Sequence, residues 1–240
     1  MKPIVSIIGL GKLGASMIGC FSSKNIKVLG YDTNPKVIDM LKKGKSPVDE
    51  TGLEVLIKKH KKNILTTNNL KNLLDKTNTT FIVVPTPTAN DGSYDLKIIK
   101  KSLIEFSKLL KNKKKYHLIV LCSTVLPEDS ENKLIPIIEK YSKKKFKKNF
   151  GFIYSPEFIS LGNIISEYLN PEIVLVGSES EKDKKILSNI YKKLYSSKKF
   201  KFMNLKEAEL TKISVNSLMT AKISFSNMIG LFCLNMKKVN

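Results

Sequence analysis

Gly9-Leu10-Gly11-Lys12-Leu13-Gly14 sets three glycines at the spacing GxGxxG, directly after a short apolar run. That spacing suits a phosphate-binding turn. The first glycine permits a tight turn, the second lets backbone approach a pyrophosphate, and the third lets a helix lie close on a strand. Lys12 and Leu13 open that helix, whose first N–H groups and dipole favour an anion. Asp32 follows 23 positions after Gly9, at the end of the next apolar run. A carboxylate there accepts both ribose hydroxyls and repels a 2′-phosphate, so the pair reads as a site for NAD rather than NADP. Lys36 lies close enough in sequence to soften that exclusion. An ordinary glycine-rich turn that holds no dinucleotide is the competing reading.

Three further segments are chemically loaded. Val84-Pro85-Thr86-Pro87-Thr88 closes one apolar run with two prolines and two hydroxyls, Ser123-Thr124-Val125 closes another, and Ser155-Pro156-Glu157-Phe158-Ile159 follows a third. Ligands of a parallel sheet bind at the carboxyl ends of its strands. Pro85, Thr86, Thr88, Ser123 and Thr124 are therefore candidate cofactor contacts, with plain turn chemistry as the alternative. Glu157 reads as a general base or water orienter, or as a solvated loop acid. Lys212 and Asn216 are four apart and share one helix face, where they either stabilise a developing oxyanion or are merely solvated.

The elements that would position these groups alternate. Short β-like runs occur at 4–8, 28–31, 64–66, 81–84, 118–122, 152–154 and 173–176, and helical patterns at 12–22, 35–43, 96–110, 133–141 and 182–195. Pro136 marks either a kink or the first turn of its helix. Near-continuous Ile, Val and Leu in strands separated by helices predict a doubly wound α/β domain, a parallel sheet covered on both faces. From 206 to 238 there is no proline and only Gly230, which predicts one long helix. Two units follow: a Rossmann-like NAD-binding domain over 1–200 and a connecting or dimerisation helix over 201–240. Ile223, Phe225, Met228, Ile229, Leu231, Phe232 and Leu234 on that helix need a partner surface, supplied by a second copy or by a separate C-terminal chain.

Composition bounds the class. Of 240 residues, 42% are hydrophobic and 26% charged, which excludes wholesale disorder and a collagen-like or coiled-coil rod. No run of about 18 apolar residues occurs, so no membrane span is expected. The apolar N-terminal stretch is broken by glycines and Lys12, unlike a signal peptide. The 42 basic residues against 21 acidic ones give a formal charge of +21, and no arginine is present. Without the planar guanidinium fork, a nucleic-acid surface is a weaker reading than lysine-rich solvated surface. Either way the positive field draws anionic small molecules, nucleotides included. Cys20, Cys122 and Cys233 are odd in number and lack CxxC spacing, which fits reduced thiols in a cytoplasmic protein. His60 and His117 are isolated, and no metal site is expected.

Taken in order, GLGKLG, PVDETGL at 47–53, VPTPT, STV, SPEFISLGN, Asn170-Pro171 with Val174 and Gly177, and AELTKISVNSLMTAKISFSN resemble the UDP-glucose/GDP-mannose dehydrogenase family over residues 1–227. The PEF segment and downstream NP resemble its UDP-glucose branch more than its GDP-mannose branch. The resemblance implies oxidation of the C6 hydroxyl of a nucleotide sugar (UDP-glucose to UDP-glucuronate, in polysaccharide biosynthesis). Two NAD are used, through a thiohemiacetal and a thioester on a cysteine. It further implies that Thr124 holds a catalytic water and that Glu157 does acid–base chemistry with it. Lys212 and Asn216 would stabilise the oxyanion, and Phe158 and Ile159 would line the sugar-nucleotide site beside them.

The family's cysteine stands in a GxGGSC-like segment beyond the long helix, followed by a second nucleotide-sugar-binding domain, and these 240 residues contain neither. None of the three cysteines lies in a glycine-rich loop. The chain is expected to bind NAD without completing the four-electron oxidation alone, as a short or split form. A non-catalytic NAD-binding module and an interaction protein built on the final helix are the other readings. Leu161 stands where many relatives carry an acid, and Met228 where they often carry Glu.

Overall fold

The computed structural model describes residues 4–195 and 199–236. Strand β1 (Val5–Ile8) runs into α1 (Lys12–Ser23), and β2 (Val28–Tyr31) into α2 (Pro35–Lys43). Helix α3 (Leu53–His60) leads through a 3-10 turn to β3 (Ile64–Thr67), then α4 (Leu70–Lys76), β4 (Thr79–Ile82), α5 (Lys97–Leu110) and β5 (His117–Leu121). A π-helical turn at Ser130–Leu134 precedes α6 (Ile135–Ser142), followed by β6 (Phe150–Tyr154), α7 (Ile164–Leu169) and β7 (Val174–Gly177). Helix α8 (Glu181–Tyr191), β8 (Phe200–Met203) and α9 (Leu205–Leu234) complete the described chain. Pro136 sits in the first turn of α6, where its missing N–H has no partner to lose. The last residues of the expected final helix, 237 and 238, lie outside the described residues.

The sheet order is β3-β2-β1-β4-β5-β6-β7-β8, and the chain reverses its direction of winding between β1 and β4. The six strands from β3 to β6 are parallel, as their unbroken apolar runs predict. One expectation fails: β7 meets β6 antiparallel, through Tyr154 and Gly177, and β8 then pairs parallel with β7. A parallel partner would need a crossover back to the amino edge of the sheet. The connection after β6 carries only the six-residue α7, about 9 Å of helix, and re-enters the sheet from the carboxyl edge.

Both faces are covered. Met17 of α1, Leu41 of α2, Ile57 of α3, Tyr168 of α7 and Leu187 of α8 pack on one side. Leu73 of α4, Phe106 of α5, Ile138 of α6 and the start of α9 pack on the other. At the amino edge, Ser6 Oγ bonds to Thr77 Oγ1 and to Thr80 Oγ1, each at 2.8 Å, and Thr80 Oγ1 bonds to His117 Nε2 at 2.8 Å. Burial holds the His117 ring down to about 3, with Lys113 adding to the effect, so this histidine is a neutral core residue at ordinary pH.

Helix α9 opens with a capping box in which Asn204 and Glu207 exchange bonds. Only Leu205, Ala208, Glu209 and Lys212 of its length are buried. Beyond the second turn its apolar side chains, Ile223, Phe225 and Leu231 among them, are exposed. By length and composition this helix is apolar enough to cross a membrane, which the lack of an unbroken apolar run concealed. Its first two turns are nevertheless docked on the sheet. A Cβ on Gly177 would stand 2.5 Å from Ala208 Cβ and 3.2 Å from the Asn204 carbonyl oxygen, so the helix approaches β7 through a gap only glycine leaves. We predict that Gly177→Val destabilises the protein by about 2 kcal/mol in urea unfolding. A change within about 0.5 kcal/mol would mean that α9 is not seated there.

Candidate active site

The glycine turn is built as its spacing requires. Gly9 has φ +90°, and a Cβ there would stand 2.3 Å from the Val83 carbonyl oxygen. A Cβ on Gly14 would stand 1.9 Å from the Gly9 carbonyl oxygen, so α1 can leave the turn only at a glycine. Gly11 instead faces open space. The first turn of α1 has no side-chain cap and no acidic residue, which leaves its N–H groups available to an anion. Lys12 is exposed in that turn and Leu13 half-buried.

Asp32 immediately follows β2, and its carboxylate is doubly held. Oδ2 accepts from the Leu10 N–H and Oδ1 from the Asn34 N–H, both at 2.8 Å. Gly9, Gly11, Asp32 and Pro85 all line one crevice of about 480 Å³ at the reversal point between β1 and β4. Its far wall comes from Leu70 of α4 and from Ile98, Lys101, Ser102 and Glu105 of α5. Sequence reasoning missed that wall, although 98, 101, 102 and 105 follow helical spacing. Thr86 and Thr88 lie beyond the crevice lining, and Thr88 pairs with Tyr94 in a local bridge. The Ser123 hydroxyl is committed to backbone: it donates to the Val84 carbonyl at 2.6 Å and accepts from the Val84 N–H at 3.1 Å. It thereby ties the end of β4 to the end of β5, with Thr124 half-buried beside it.

A second group assembles where α9 crosses the loop after β6. Lys212 is 8% exposed. Its Nζ donates to the Glu157 carbonyl oxygen at 2.7 Å and sits 4.5 Å from the centre of the Phe158 ring. Burial pushes Lys212 below its usual value, and Glu157 opposes that shift. Burial also pushes the Glu157 carboxyl up to about 8, with Lys212 pulling it down. The carboxyl is close enough to Cys20, Cys122, Tyr168, Tyr191 and Tyr195 to raise each of them in turn. Asn216 is half-buried one turn beyond Lys212, and Ile159 is half-buried next to Phe158. None of these residues lines the crevice that contains Asp32.

Two buried glutamates escaped the sequence reading, and both organise these loops. Glu50 accepts from the Ile164 N–H at 2.8 Å and from the Gly162 N–H at 3.1 Å, which fixes the loop after Glu157. Glu209, fully buried, accepts from the Glu128 N–H at 2.7 Å and from the Ser130 N–H at 3.0 Å, which fixes the loop after Thr124. An acid three residues before Lys212 on the same face was the available signal.

Residues 3–195 match the model of the UDP-glucose/GDP-mannose dehydrogenase family, NAD binding domain. The chain belongs to this family. Its relatives include GDP-mannose 6-dehydrogenase of Pseudomonas aeruginosa, 33% identical over 94% of this chain and 52% of that protein. UDP-glucose 6-dehydrogenase AglM of Haloferax volcanii is 29% identical over 95% of this chain and 54% of its own length. The chain thus spans about half the length of the curated relatives it matches. Among solved structures, a ternary complex of GDP-mannose dehydrogenase from Pseudomonas aeruginosa superposes with a TM-score of 0.91 at 32% identity, over 95% of this chain and 52% of that one. The UDP-glucose dehydrogenase of Pyrobaculum islandicum gives 0.89 at 28% identity, over 97% and 53%.

The cofactor of this family member is NAD, and the residues present fit it. The open backbone at Gly11, the uncapped start of α1 and the fixed acceptor Asp32 match a pyrophosphate and a ribose diol. Asp32→Asn should weaken NAD by roughly tenfold or more while narrowing its advantage over NADP, measured by calorimetry. Unchanged affinity would remove Asp32 from the ribose site. A second prediction concerns Glu157. Its folded carboxyl keeps a proton up to about pH 8, whereas a glutamate in the unfolded chain releases it near 4.5, so folding stability contributed here is lost as pH rises between those values. Glu157→Gln should therefore melt progressively higher relative to the parent as pH rises from 5 to 9. Parallel melting profiles would contradict the raised carboxyl.

Proposed function

We propose that this chain is the NAD-binding half of a nucleotide-sugar 6-dehydrogenase that oxidises a C6 hydroxyl to a carboxylate. The observation that carries the reading is the Lys212–Glu157 contact: the buried ammonium of α9 is held by the backbone carbonyl of the very residue whose carboxyl has a raised pKa, in a loop at the carboxyl edge of a dinucleotide fold. NAD supplies the hydride acceptor when bound, one for each two-electron step. Glu157, whose carboxyl releases its proton only near pH 8, acts through its ionised form, taking the proton that leaves the C6 hydroxyl and later activating water held at Thr124. Lys212 and the Asn216 amide stabilise the negative oxygen that develops at C6. Phe158 and Ile159 flank the sugar, and Pro85, Thr86, Thr88 and Ser123 shape the path of the cofactor, Ser123 by tethering Val84.

A thiol outside the described site completes the chemistry. Burial pushes Cys20 up to about 12 and Cys122 well above its usual value, so both stay protonated and poor as nucleophiles. The sequence favours UDP-glucose, whereas relatives matched at similar identity are named for GDP-mannose and for UDP-glucose, so both nucleotide sugars enter the assay. The exposed apolar length of α9 takes a protein partner in this reading, either a second copy or a chain carrying the cysteine segment, in a cytoplasmic enzyme.

The test is NADH formation from each nucleotide sugar, with and without a C-terminal family fragment that bears the cysteine. We expect two NADH per sugar on complementation with one of the two substrates, and a loss of roughly a hundredfold or more in Lys212→Ala. No NADH with either sugar in the complemented mixture would overturn the proposal.

A further inference from the structure

We infer that Glu105 reads the base of the dinucleotide, accepting a hydrogen bond from the exocyclic amine of adenine. The inference rests on the NAD reading and concerns the end of the crevice that the glycine motif does not describe. Helix α5 presents two stripes. Ile99, Leu103, Phe106 and Leu110 are buried in the core, whereas Ile98, Lys101, Ser102 and Glu105, at i, i+3, i+4 and i+7, line the crevice. Helix α5 packs on the face of the sheet opposite α1. A dinucleotide whose pyrophosphate rests on α1 and whose ribose meets Asp32 therefore delivers its base to α5.

The surface there suits a flat, uncharged ring. Ile98 is 41% exposed, and with Leu70 and Tyr31 it leaves an apolar wall open to the crevice on an otherwise lysine-rich surface. Glu105 is the one acid in that wall, and among the described residues it makes no ion pair, although Lys101 and Lys108 lie a turn to either side. A carboxylate only accepts hydrogen bonds. Phosphate oxygens offer it none, and the ribose hydroxyls are met by Asp32. In the adenosine half, which is the part delivered to α5, the amine at C6 of adenine is the donor that remains. Lys101, a turn away on the same stripe, is itself a donor and cannot take this role.

The experiment compares NAD with nicotinamide hypoxanthine dinucleotide, in which a carbonyl oxygen replaces that amine, by calorimetry on the 240-residue protein. The parent should bind NAD roughly tenfold tighter than the analogue. Glu105→Gln, whose amide can donate as well as accept, should bring the two within about twofold while its melting temperature stays that of the parent, since Glu105 is exposed. Equal binding of both dinucleotides by the parent overturns the inference, as does a tenfold preference that survives in Glu105→Gln. Failure of the parent to bind NAD at all would overturn the dinucleotide reading and this inference with it, whereas NAD binding with an unmoved ratio overturns the base contact alone.

Discussion

Carboxylates that each grip two backbone N–H groups hold the carboxyl edge of this sheet together. Asp32 takes Leu10 and Asn34, Glu50 takes Gly162 and Ile164, and Glu209 takes Glu128 and Ser130. Loops at the strand ends carry amides that no ladder satisfies, and leaving such a group buried and unpaired costs about 1–3 kcal/mol. A charged acceptor with two oxygens solves two of them at once and fixes the loop to a distant element. In a chain of formal charge +21 these acids are scarce, yet three of the 21 serve this one edge. The geometry of the site depends on them.

Helix α9 shows how the constraint becomes chemistry. Glu209, Lys212 and Asn216 stand on one of its faces. Glu209 grips the loop that follows Thr124, and Lys212 grips the loop that contains Glu157. The two loops are therefore registered against each other through a single rigid rod. Lys212 gives up solvation to stay there, offset by the Glu157 carbonyl and the Phe158 ring. The same rod runs on into exposed apolar surface, so whatever covers its far end is mechanically continuous with the site.

Much of this was legible in the sequence where one residue type alone satisfies the backbone. The glycine spacing fixed the turn, and the unbroken runs such as His117–Leu121 fixed buried parallel strands. Position within a long helix was equally plain, since nothing between Leu205 and Leu234 could stop it. Weak local signals hid the rest. Helix α3 starts at Gly52 with no side-chain cap, α7 is six residues long, and β8 alternates Phe with Lys at the sheet edge. The direction of β7 depends on the path taken by a loop, which no propensity records. Glu50 and Glu209 look like surface acids until the amides they serve are brought to them from 112 to 114 and from 79 to 81 residues away in sequence.

We place the seat of NAD at the turn from Gly9 to Gly14 and the tethered Asp32. Amide resonances in a ¹⁵N-labelled sample titrated with NAD test it directly. Saturable shifts are expected, largest at Leu10 through Leu13 and at Asn34, because those N–H groups either meet the pyrophosphate or share the Asp32 carboxylate. Shifts confined to other parts of the molecule, with these amides unmoved at saturation, would contradict it.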